Sequence, residues 1–103
     1  PDFLVTVMDA CHNPVKVAPF TPSSSVGMGV LAAEYARDSL AVILKHHGVV
    51  AYGKDLEEAL YSAVYLEEAA KTFVLARAMG AEIPALDPEL IAQEKAGWET
   101  YGQ

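Results

Sequence analysis

The chain has only one cysteine, Cys11, so no internal disulfide can staple it, and a reducing, cytoplasmic setting is expected. Cations are scarce. Seven Lys and Arg stand against 14 Asp and Glu, for a formal net charge of -7. A nucleic-acid surface needs clustered Lys and Arg, so no nucleic-acid partner is expected. No apolar run approaches the roughly 18 residues of a membrane-spanning helix, so no membrane partner is expected either. The opening Pro1-Asp2-Phe3-Leu4 has neither an initiator Met nor the basic start of a secretory signal. It reads as a cut inside something longer. Internal repeats and low-complexity tracts are absent.

Apolar residues are plentiful. They make up 52% of 103 residues while charged ones make up 20%, which suits one modest domain that buries some of its faces against a partner. Residues 2–11 are a candidate amphipathic helix, although the alternation around Val5 and Val7 fits a strand as well. His12-Asn13-Pro14 marks a turn, and Val15-Lys16-Val17 a short strand. The prolines of Ala18-Pro19-Phe20-Thr21-Pro22 remove donors and keep the preceding residues out of the helical region, so this segment is extended or looped.

Ser23, Ser24 and Ser25 compete to cap a helix expected to run to about Asp38, with Val30, Leu31 and Ala33 inward. Asp55, with Glu58 three residues on, opens the strongest helix in the chain. Its apolar stripe includes Leu56, Leu60, Val64, Leu66 and Phe73, while Glu57, Glu58, Glu67, Glu68 and Lys71 lie on the wetter side. Gly80 ends that helix, and Asp87-Pro88 begins another. Helices around a few short strands give an α/β or α+β unit.

The segment that carries chemistry is Leu44-Lys45-His46-His47-Gly48-Val49-Val50. The runs Leu40–Leu44 and Val49–Tyr52 read as two strands joined at a tight turn, with the histidines on its lip. An imidazole fixed at a strand end serves as a metal ligand or a proton shuttle. No second ligand lies at local spacing, so any further ligands come from elsewhere. From the residues alone, His47 is equally a packed structural residue or a ligand. If the strand continued through the pair, His46 would face the opposite way.

The chain resembles the class II aldolase and adducin head-domain family, most closely its zinc-dependent fuculose-phosphate aldolases. The resemblance rests on Ala18-Pro19-Phe20, on Leu44–Ala51, on Gly53-Lys54-Asp55-Leu56-Glu57-Glu58-Ala59, on Tyr65–Ala70 and on Glu99-Thr100-Tyr101-Gly102. It implies a three-layer α/β/α fold with a mostly antiparallel central sheet, to which residues 1–103 contribute the C-terminal half of one domain. It implies one Zn2+ per subunit with His47 as a ligand, the other ligands and the base lying in a missing N-terminal half. It implies cleavage of a ketose 1-phosphate to dihydroxyacetone phosphate and an aldehyde by a cytoplasmic homotetramer. Related alternatives are a pentulose-phosphate 4-epimerase, a sugar-phosphate dehydratase and a non-catalytic adducin-like module. Tyr101 matches a family tyrosine that helps close the pocket, with Trp98 three residues before it. Val5 stands where the family's acid tyrosine is expected, leaving Asp9 and His12 as weak substitutes.

Overall fold

The computed structural model describes residues 10–80 and 82–98. Its elements are β1 (Lys16–Ala18), α1 (Val26–Tyr35), β2 (Ala41–Leu44), β3 (Gly48–Ala51), α2 (Leu56–Ala78) and α3 (Pro88–Trp98). The expected helix over 2–11 lies outside the described residues except for Ala10 and Cys11, which are helical.

The three strands form one sheet in the order β1-β2-β3. β1 pairs with β2 in parallel over three positions, Lys16 opposite Val42 through Ala18 opposite Leu44. β2 pairs with β3 antiparallel over four, Ala41 opposite Ala51 through Leu44 opposite Gly48. A strand shows alternate side chains to opposite faces, and β2 uses both. Val42 packs with Ala18 and Ala32, so α1 covers that face, with Tyr35, Leu44 and Val50 around them. Ala41 packs with Cys11, Val15, Leu66 and Ala69, so α2 covers the other, with Ile43 against the cluster. The result is the expected three-layer α/β/α arrangement around a mixed sheet.

Local chemistry sets the helix ends. The Ser25 hydroxyl accepts the Met28 N–H at 3.1 Å and donates to the Pro22 carbonyl at 2.8 Å, starting α1. The helix stops at Tyr35 rather than Asp38, because Ala36 leaves helical geometry (φ -90, ψ 2) and Ser39 N–H bonds back to the Ala36 carbonyl. Its inward residue is Ala32. Leu31 is half-buried, whereas Val30 and Ala33 are exposed, because the face of α1 turned to the sheet is the one that carries Ala32.

Asp55 caps α2 by accepting the Glu58 N–H at 2.8 Å. Gly80, at φ 77, ends it. Asp87 caps α3 through the Glu89 N–H at 2.9 Å. A buried serine, Ser62, joins three segments. Its hydroxyl lies 3.1 Å from the Glu58 carbonyl, 3.2 Å from Ala10 and 3.4 Å from Tyr52.

Only Ser62, Leu66 and Ala69 of α2 are buried. The buried stripe is narrower than the spacing predicts. Leu56, Leu60, Val64, Val74 and Leu75 are exposed, so the helix is apolar on its outward side too. A helix apolar on both sides is suited to burial in a larger body.

Candidate metal centre

β2 ends at Leu44, and Lys45, His46 and His47 form the turn into β3. His47 N–H closes the turn on the Leu44 carbonyl at 2.9 Å, and Lys45 N–H ties it to the Ala18 carbonyl at 3.3 Å. His46 adopts φ 66, an uncommon left-handed conformation for a non-glycine residue, and Gly48 follows at φ 142, which only glycine adopts readily. These angles break the strand before the histidines. His46 and His47 therefore do not alternate across a sheet: both line one cleft and both touch one aromatic ring.

That ring is Phe20. The His47 imidazole lies flat on it, with centroids 5.4 Å apart and planes 7° from parallel. His46 meets it edge-on at 6.0 Å and 69°. His47 Nε2 is 2.8 Å from the carbonyl oxygen of Thr21. A carbonyl only accepts, so Nε2 is the donor in this contact. The exposed imidazole is thus held on one face by a ring and at one edge by a backbone oxygen.

The cleft beside the turn has a volume of about 400 Å³. His46, His47 and Glu67 are its ionisable lining, and Ile43, Leu44 and Leu66 are among its apolar walls. Sequence reasoning assigned Glu67 to a solvated helical face. The residue is indeed exposed, but it also reaches this cleft. Its neighbour Glu68 meets Lys71 at 3.2 Å on the surface.

Among the described residues, no three His, Cys, Asp or Glu side chains gather closely enough to hold a metal ion. His47 fits one corner of such a centre, since it is exposed and held by two contacts, but it fits no more than that corner. His12 sits in its expected turn at φ 71. Val5, Asp9 and Tyr101 lie outside the described residues, as does the side chain of Trp98. What sequence reasoning missed is the role of Phe20 and Thr21. The prolines flanking them were the available signal, since they mark a stiff segment without saying what it meets.

The family profile "Class II Aldolase and Adducin N-terminal domain" matches residues 1–74. The chain belongs to the class II aldolase and adducin family. It is 29% identical over 100 residues to the L-fuculose phosphate aldolase of Haemophilus influenzae, covering 97% of this chain and 45% of that protein. It is 29% identical over 90 residues to the L-fuculose phosphate aldolase of Escherichia coli K12, covering 87% and 42%.

Among solved structures, an L-fuculose 1-phosphate aldolase superposes with a TM-score of 0.88 at 24% identity, over 96% of this chain and 46% of that one, which shows the fold. YgbL, a putative aldolase/epimerase/decarboxylase from Escherichia coli, superposes with a TM-score of 0.76 at 29% identity, over 90% and 44%. The chain therefore spans a little under half the length of the relatives it matches.

Proposed function

We propose that the protein carrying this chain is a metal-dependent aldolase of the fuculose-phosphate type. It would cleave a ketose 1-phosphate to dihydroxyacetone phosphate and an aldehyde. The observation that carries this reading is His47: an exposed imidazole on the lip of a strand turn, immediately before Gly48, fixed by two contacts. A divalent metal such as Zn2+ supplies Lewis-acid polarisation of a ketone oxygen when bound in such a site. This chain's part is to present one nitrogen ligand from a rigid turn. The apolar wall of the adjoining cleft would keep water away from one side of the reacting group.

One imidazole cannot hold zinc, which takes three protein ligands in catalytic sites. The reading therefore assigns the remaining ligands and the base to an N-terminal half of the same domain, with residues 1–103 as the C-terminal half. The outward apolar face of α2 supports burial against that half or a second subunit, and a homotetramer is the proposed assembly. Tyr101 is proposed to help close the site. Cys11, alone and buried, is compatible with the proposed cytoplasmic setting. No described helix is long and apolar enough to cross a membrane.

A second reading is favoured by Val5. With no tyrosine at the position matching the family's acid, a related epimerase or dehydratase on the same scaffold is the runner-up. The likeness to YgbL, a putative aldolase/epimerase/decarboxylase, supports keeping more than one reaction in view. Elemental analysis of the complete protein and of His47→Ala tests the metal assignment. Stoichiometric zinc lost on substitution is expected, and zinc retained would overturn it. A panel of ketose phosphates separates cleavage from epimerisation and dehydration, and inactivity towards all of them would favour an adducin-like module.

A further inference from the structure

Helix α3 is joined to the rest of the unit by residues 82–87, which form neither helix nor strand. From Pro88 to Gly97 every residue is exposed except Ile91 and Lys95. These two lie four apart, on one side of the helix, and are half-buried. Helices in proteins are held mainly by the apolar face they pack, and a face one residue wide holds little. The polar contact beside it then carries the docking. The Lys95 ammonium donates to Asn13 Oδ1, across 82 residues of chain.

The body of the unit prepares Asn13 for this contact. Its Nδ2 donates to the Asp38 carbonyl, on the link between α1 and β2. Its own carbonyl accepts the hydroxyl of buried Ser39 at 3.3 Å. Ser39 also donates to the Cys11 carbonyl at 3.2 Å, and the Leu40 N–H reaches the same oxygen at 2.9 Å. With Nδ2 held by one carbonyl, Oδ1 is left as an acceptor, and a cationic donor is what it fits. The ion pairs among the described residues are Lys54 with Glu58 and Lys71 with Glu68, so Lys95 is committed to a neutral amide rather than to an acid.

We infer that Asn13 and Lys95 form a latch that docks α3 on the body, and that α3 leaves and regains this position as one unit when the latch opens and closes. The inference goes beyond the proposed function and does not rest on it. Under that function, the latch would also set where the chain leaves α3 on its way to Tyr101.

The test is hydrogen–deuterium exchange of the complete protein, read peptide by peptide by mass spectrometry. An undocked helix of 11 residues is marginal in water, so undocking is read directly as amide exchange. Lys95→Met keeps the aliphatic stem and removes the donor. It should speed exchange in peptides from 89–97 roughly tenfold, the size expected for one hydrogen bond to a charged group. Peptides covering β1, β2 and β3 should keep their wild-type rates. Lys95→Arg, which keeps a charged donor of similar reach, should bring α3 back towards the wild-type rate. Asn13→Ala should speed α3 as Lys95→Met does, and the double variant should be no faster in α3 than either alone, because both remove the same bond. An α3 that exchanges at the wild-type rate in Lys95→Met would overturn the latch. So would acceleration spread equally over the three strands, or effects on α3 that multiply in the double variant. If Asn13→Ala does not fold, the contrast between Lys95→Met and Lys95→Arg decides.

Discussion

Gly53 precedes the cap of α2, and replacing it with alanine should damage the fold more than at any helical glycine. Its backbone is not left-handed: among the described residues, only Gly48 and Gly80 are glycines with positive φ. The constraint is space. A Cβ at position 53 would lie 2.5 Å from the backbone nitrogen of Ala59, 2.7 Å from Glu58 Cβ and 2.9 Å from the Glu58 carbonyl carbon. Ordinary carbon contacts lie near 3.5–4.0 Å, so the overlap is about 1 Å, and two of the three obstacles are backbone atoms that cannot rotate away.

The loop must move off the first turn of α2, which works against the bond from Lys54 N–H to Glu58 Oε1 (3.3 Å) and that from Tyr52 N–H to the Leu40 carbonyl (2.7 Å). Overpacking costs about 1–3 kcal/mol, and the rigid obstacles place this case near the upper end. For a unit of this size that lowers Tm by roughly 10–20 °C. Urea unfolding should show the midpoint falling with m unchanged. Gly29 is the control. Nothing lies within 4 Å of a Cβ there, and Gly29→Ala inside α1 should add up to about 1 kcal/mol. A Gly53→Ala protein within about 0.5 kcal/mol of wild type would refute the steric argument.

Two further outcomes are expected besides that given for His47. Tyr101→Phe in the complete protein should lower turnover or stereochemical control while zinc content stays unchanged, measured by kinetics, product analysis and elemental analysis; kinetics and stereochemistry equal to wild type would assign Tyr101 a packing role only. Desolvation by burial raises the Cys11 thiol above its ordinary 9.0, so a thiol reagent at neutral pH should react slowly with the native chain and quickly in urea. The sign for stability follows from that shift. The unfolded thiol ionises first, so Cys11 leaves stability untouched below pH 9.0 and reduces it as pH rises above that value, and Cys11→Ser should flatten this alkaline loss.

The features legible in the sequence are those decided within a few residues. Asp55 accepts the N–H three residues on, Gly80 takes the left-handed angle at the end of α2, and Asp87-Pro88 starts α3, all as their residue types predict. Adjacent apolar runs around a glycine gave β2 and β3. β1 lies one residue later than its apolar pattern predicts, because the proline at 19 limits the strand without fixing its register on β2.

The misread features depend on distant partners. Alternation set His46 opposite His47, and it fails because the backbone turns at φ 66 just where the period-two argument was applied. Phe20 and Thr21 are 27 and 26 residues from His47, and no local rule connects a proline-flanked segment to a ring that far along the chain. The stripe on α2 states that apolar surface needs cover without stating against what. Leu66 finds the sheet, while Leu60 and Val64 face outward. The same boundary divides the candidate site. The turn that carries His47 is complete within the described residues, because strand pairing, a tight turn and the contacts from Phe20 and Thr21 all close locally in space. The ligand set is not, and neither is the cover for α2. Under the proposed function, both gaps are filled by protein packed against this unit, so one interface would bury the helix and complete the metal site.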